Sequence, residues 1–155
     1  MNKWFFINVM FLVFTWIKII TFYHGIHTVV GGTALTLVLY NWSRHAIFST
    51  IRSPYVSRKR KITLAKLSKS VLPFHKWTGS LALVIAIIHI VLVLQSYGLQ
   101  IRHFKQVSGL LSITTLIFLV LFGWLRWYKT TVRRRYIHWT LGYISIFMII
   151  LHVIL

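Results

Sequence analysis

The chain has 155 residues, 57% of them hydrophobic, with 18 Lys plus Arg and no Asp or Glu. Without a carboxylate side chain, paired-carboxylate glycosidase chemistry, aspartic-protease chemistry, EF-hand calcium loops, Walker-type magnesium sites and any triad needing an acid are excluded. Without cysteine, disulfides, zinc ribbons, iron–sulfur clusters and thiol catalysis are excluded as well.

A formal charge of +18 invites a nucleic-acid reading, but a mean hydropathy of +0.75 is not that of a soluble basic domain. Apolar stretches near ~20 residues recur, long enough to cross a ~30 Å hydrocarbon core. We expect an all-α integral membrane bundle, a single transmembrane domain over residues 1–155, with the lipid bilayer as its solvent and no nucleic-acid partner.

Five spans are expected in chain order. The first covers about 4–20, with no evident cleavage site of a removable signal peptide. A short turn near 21–25, beside which Lys18 must snorkel, leads to the second span at about 26–42. A basic loop follows over 43–73, in which 57–70 has the pattern of a basic amphipathic surface helix. The third span covers about 74–94, the fourth about 107–124 and the fifth about 137–155.

Charge sets the orientation. Nine Lys/Arg lie within 43–76, five within 126–135, and Lys3 at the start; only Lys18, Arg102 and Lys105 fall on the other side. The positive-inside rule then puts the N-terminus in the cytoplasm and the C-terminus outside, in a multi-pass protein of the cell membrane. These charges orient the chain and touch anionic lipid. Trp4, Trp42, Trp77, Trp124, Trp127 and Trp139 lie near span ends, as interface anchors do.

Four of the eight histidines form a pattern. His75 and His89 lie fourteen residues apart on the third span, and His138 and His152 fourteen apart on the fifth. Fourteen residues at ~100° each fall about 40° short of four turns and rise ~21 Å, so each pair shares one helix face. In each span a glycine follows the first histidine by four residues, at Gly79 and Gly142. Both spans run in the same direction. His75 is therefore level with His138, and His89 with His152.

Two imidazoles facing across a gap suit the two axial positions of a haem iron. Gly79 and Gly142 remove side chains where a flat macrocycle needs close approach. Haem b needs no cysteine for attachment, and Lys76 and Arg135 are placed to pair with its propionates. A lone membrane histidine often only hydrogen-bonds across helices. Four at matched depth, spacing and glycine offset point instead to two haem b groups, with His75, His138, His89 and His152 as iron ligands. Zinc or copper suits these residues less, because each level supplies two ligands and no carboxylate or thiolate completes a shell.

The remaining signals are weaker. His24 and His27 flank the external turn, and His103 lies in an external loop beside Arg102 and Lys105. Together these make a cationic patch suited to propionates, an anionic substrate or a chelate. His45 sits at the inner end of the second span; it or His24 is placed to move a quinone proton. Gly31 and Gly32 suit close helix packing or a haem contact.

Two alternate helices each bearing His-x13-His resemble the transmembrane cytochromes b. The stretch RRRYIHWTLGYISIFMIILH resembles the late histidine-bearing helix of the ferric-reductase-like transmembrane domain, and the segment ending VLY resembles its earlier haem-free helix. That resemblance covers roughly 25–155. It implies transmembrane electron transfer through an inner haem on His75 and His138 and an outer haem on His89 and His152. It departs from the family where the chain stops three residues after His152, without the last helix of the family pattern and without a Gly-rich nucleotide fingerprint. A separate electron donor is therefore expected: a quinol, or an acidic cytoplasmic flavoprotein reductase on the basic face. Two further readings are a haem-bearing anchor subunit with partner membrane or external subunits, and a cofactor-free cationic membrane protein.

Overall fold

The structure, a computed structural model, describes residues 3–23 and 25–155. Five helices account for nearly all of it: α1 (Lys3–Thr21), α2 (Ile26–Arg52), α3 (Arg58–Tyr97), α4 (Phe104–Tyr128) and α5 (Val132–Ile154). No strand occurs among the described residues. The all-helical bundle expected from the sequence is present, and α1, α3, α4 and α5 are long and apolar enough to cross a membrane.

α2 differs from expectation. It occupies the place of the second span, but it contains no stretch as apolar as those of the other four helices. The reason lies in its surroundings. More of its residues are buried than in any other helix: His27, Gly32, Ala34, Leu35, Leu39 and Ala46. It packs on α1 and, most extensively, on α3. A helix covered by neighbours meets small and hydroxyl side chains rather than lipid tails, so glycine and threonine replace leucine. Trp16 Nε1 donates to Thr36 Oγ1 at 3.1 Å, and Thr78 Oγ1 donates to Asn41 Oδ1 at 2.8 Å, tying α2 to both neighbours.

The basic segment 43–73 is also not a loop. α2 continues to Arg52, α3 begins at Arg58, and only five residues join them. Ser57 caps α3 by accepting from the Arg60 N–H. The expected surface helix and the third span are thus one helix of 40 residues, with Pro73 inside it. At ~1.5 Å per residue it is ~60 Å long, twice a ~30 Å bilayer core, so its basic first third stands outside the apolar region.

Contacts show how the helix ends align. At one end Trp4 meets His45, His45 meets Tyr143, His75 meets His138, and Trp124 donates to Ser80. At the other, Lys18 donates to the Val153 carbonyl, and His89 meets both the His27 carbonyl and the His152 ring. The helices therefore alternate in direction, and the α2 stretch from His27 to His45 runs level with the apolar part of α3.

Burial is inverted relative to a water-soluble domain. Ser145 is 0% exposed, Ala82 1% and Ser108 4%, whereas Met10 is 70%, Phe147 62% and Phe118 49% exposed. Small residues let helices approach, and large apolar ones face lipid. Ala82→Leu forces extra methylenes into such a contact. We expect it to cost about 1–3 kcal/mol, read as a lower unfolding midpoint in detergent.

Candidate cofactor-binding site

The four histidines singled out by spacing converge as two cross-helix pairs. The His75 and His138 ring centroids are 6.4 Å apart, and those of His89 and His152 are 6.3 Å apart. α3 and α5, which carry them, are not among the closely packed helix pairs; α3 packs on α2, and α5 on α4. The imidazoles thus face each other across a gap. Two imidazoles on opposite sides of one metal ion, at about 2 Å per metal–nitrogen bond and with a ring radius of about 1.2 Å, put their centroids about 6.4 Å apart. Both pairs have the spacing that two imidazoles would have if they shared one ion between them.

A repeated device holds three of the rings. His89 Nδ1 donates to the His27 carbonyl at 2.7 Å, His152 Nδ1 to the Lys105 carbonyl at 3.0 Å, and His138 Nδ1 to the Leu119 carbonyl at 3.2 Å. A carbonyl only accepts, so each Nδ1 carries the hydrogen and each neutral ring keeps its lone pair on Nε2. Metal-ligating histidines are oriented in this way. Four residues beyond each accepting carbonyl stands a glycine against which the same ring lies. A Cβ on Gly31 would stand 2.9 Å from His89 Cε1, one on Gly109 3.0 Å from His152 Cε1, and one on Gly123 3.3 Å from His138 Cε1. Each ring is seated on the bare backbone of the neighbouring helix and anchored one turn earlier.

The fourth ring lacks the seat. α2 position 45, level with His75, holds histidine rather than glycine. His75 Nδ1 is buried without a hydrogen-bond partner among the described residues.

Gly79 and Gly142 do not play this role. Gly142 makes room for Trp42, whose Cζ3 would lie 3.3 Å from an added Cβ, and Gly79 faces only Asn41 Nδ2 at 3.7 Å. The glycines against the histidine rings are on α2 and α4. Gly109 and Gly123 carry a signal that could have found them, because they too lie fourteen residues apart.

The charges near the pairs also come from other helices. Arg44 on α2 and Arg126 on α4 act electrostatically on both His75 and His138. Lys18 and Lys105 act on His152. Lys76 instead points its ammonium at aromatic faces, 4.1 Å from the Trp124 ring centre and 4.4 Å from that of Trp127. Arg135 lies 5.6 Å from the Trp139 ring centre. These are cation–π contacts at the bundle's basic end.

A cavity of about 630 Å³ surrounds the outer pair, lined in part by His27, Gly31, His89, His103, Lys105 and His152. That volume is within the range of about 300–1,000 Å³ that small-molecule and cofactor sites occupy. His103 thus joins the outer site. His27 contributes its carbonyl there, and its buried ring packs edge-on against Tyr97 at 5.4 Å. His45 lies apart from the pairs, stacked on Trp42 at 4.9 Å and within 3.2 Å of the Tyr143 hydroxyl. His24 lies outside the described residues.

No group of three or more His, Cys, Asp or Glu occurs among the described residues. A metal ion bound by side chains alone is therefore poorly served. Two facing imidazoles suit an ion whose other ligands come with it. Comparison with protein-family models, curated proteins and solved structures finds no match to the chain.

Proposed function

We propose that this chain holds two b-type haems, one between His75 and His138 and one between His89 and His152. In this reading it carries electrons across the cell membrane from a donor on the basic, cytoplasmic face to an acceptor on the other side. The observation that supports this best is the pair of facing imidazoles at 6.4 and 6.3 Å, with three of the four Nδ1 atoms tied to backbone carbonyls. A bis-imidazole haem supplies one-electron ferric–ferrous chemistry.

The chain's own contribution is to position and to shield. The His27, Lys105 and Leu119 carbonyls fix ring rotation and tautomer and raise ligand basicity. Gly31, Gly109 and Gly123 let those rings sit back against the neighbouring helices, which keeps the gap open. Arg44, Arg126, Lys18 and Lys105 put positive charge beside the pairs, which favours a reduced over an oxidised centre. The apolar helix faces exclude water. The basic hairpin formed by α2 and α3 offers a surface for an acidic flavoprotein, and the bilayer itself delivers a quinol.

The test is the absorption spectrum of detergent-purified protein, oxidised and dithionite-reduced, with haem counted per chain, followed by vesicle transport. We expect two haems per chain. Vesicles loaded with ferricyanide should bleach when reductant is added outside, and only when the protein is present. A colourless protein after expression with ample haem would overturn the reading and leave a cofactor-free cationic membrane protein.

A further inference from the structure

Three of the four histidines are anchored at the ring itself. His75 is the exception, with no acceptor for Nδ1 and no glycine behind it. The residues that follow it on α3 are tied down instead. Lys76 Nζ lies 4.1 Å from the ring centre of Trp124 and 4.4 Å from that of Trp127, both on α4, and 5.2 Å from that of Trp77. Trp124 Nε1 donates to Ser80 Oγ at 3.0 Å, and Ser80 Oγ donates to the Lys76 carbonyl at 3.1 Å, which closes the group. On the other flank, Thr78 Oγ1 donates to Asn41 Oδ1 of α2 at 2.8 Å.

The helical period turns these ties into a direction. At ~100° per residue, Lys76 and Ser80 leave α3 about 100° and 140° to one side of His75, and Thr78 about 60° to the other. Ties to α4 on one flank and to α2 on the other fix the rotation of α3 about its axis. The His75 ring is then aimed between those helices, where the His138 ring faces it at 6.4 Å. The cage itself lies at the surface: Trp77 and Trp127 are 64% and 61% exposed, and Lys76 is half-buried. The chain has no Asp or Glu to take the ammonium, so the indole faces are its partners. A cation over an indole face within about 6 Å is held by the ring quadrupole, more strongly where water is scarce. α3 packs less extensively on α4 than on α2, and the cage closes that thinner seam.

We infer that Lys76, caged by Trp77, Trp124 and Trp127, is the positioning residue of the inner site: its clasp on α4 sets the rotation of α3 and so aims His75 across the gap. The inference rests on the haem reading above and deepens it by naming what holds the one ligand whose ring is not anchored. Lys76 acts through the backbone of α3, at the level where the carbonyl and glycine device is missing.

The test uses the full chain carrying His89→Ala and His152→Ala, so that only the inner site remains, purified without haem and titrated with haemin. Lys76→Met keeps the apolar stem and removes the charge. We expect it to weaken haemin binding roughly tenfold, the low end of what a metal site loses with the contacts that orient its ligand. The bound haem should also shift in part from a low-spin to a high-spin spectrum, the signature of iron that has lost one imidazole. Trp127→Leu should act in the same direction. The double variant should bind no worse than Lys76→Met alone, because both changes break one contact. Lys76→Arg should keep the tight binding, since a guanidinium also stacks on indole. In the complementary chain, carrying His75→Ala and His138→Ala, none of these changes should alter haemin binding, which shows that the variants fold. Tight binding and an unchanged low-spin spectrum in Lys76→Met would overturn the clasp and leave the haem reading standing. Losses that simply add in the double variant, or an equal loss at the outer site, would overturn it too. If the inner-site chain takes up no haemin at all, the inner haem falls, and the clasp with it.

Discussion

Replacing His75 by alanine is expected to lower the haem content of the purified protein from two per chain to about one, and His138→Ala should remove the same haem. His89→Ala and His152→Ala should each remove the other. The decisive readout is the set of double variants. His75→Ala with His138→Ala should still retain one haem, because both changes fall on one level. His75→Ala with His152→Ala should retain none. The pattern follows from the pairing of ring centroids at 6.4 and 6.3 Å across α3 and α5. An ion that loses one of two protein ligands keeps only half of its attachment, and ligands acting as a unit give non-additive losses. Retention of one haem by the cross-level double variant would refute the pairing.

Gly31→Val is expected to abolish the outer haem and spare the inner one, although residue 31 is no ligand. A Cβ there would stand 2.9 Å from both Cε1 and Nδ1 of His89. That distance is too short to absorb, and the ring cannot retreat without breaking its 2.7 Å bond to the His27 carbonyl. Valine adds two methyl groups to the same spot. Gly109→Val should act in the same way through His152, and Gly123→Val should strike the inner pair through His138. The three variants are compared by haem stoichiometry and by reduced-minus-oxidised spectra. Loss of the inner haem in Gly31→Val, or full occupancy in both Gly31→Val and Gly109→Val, would show that the glycine seats do not hold the rings.

Part of this arrangement is legible in the order of residues alone. Helical rise converts sequence spacing directly into depth, so fourteen residues between His75 and His89, and again between His138 and His152, are enough to set two levels and to pair them. The same arithmetic applies to Gly109 and Gly123 but points nowhere by itself, because a glycine declares its role only through what it faces. Gly79 and Gly142 share a matched offset from the histidines, yet they stand on the histidine-bearing helices. The backbones against which the histidine rings lie are those of the helices opposite. Lys76 and Arg135 are close in sequence to the inner histidines, yet their cations meet tryptophan rings, and Arg44 and Arg126 reach the pair from elsewhere.

The extent of the helices shows a similar division. Apolar runs mark α1, α4 and α5 within a few residues. The basic stretch 43–73 has the hydropathy of a loop, because hydropathy reports where a chain prefers water, and a solvated helix and a solvated loop share that preference. With only Pro54 and its neighbours to interrupt them, α2 and α3 continue through it as a hairpin. Composition and the one-dimensional period of a helix are thus enough to specify a helical membrane protein with one basic end and four histidines at two depths. Neither reveals which backbone each ring rests on, which carbonyl fixes its tautomer or which cations surround it. Those depend on the rotation and pairing of helices about one another, which side-chain packing sets between segments far apart in the chain.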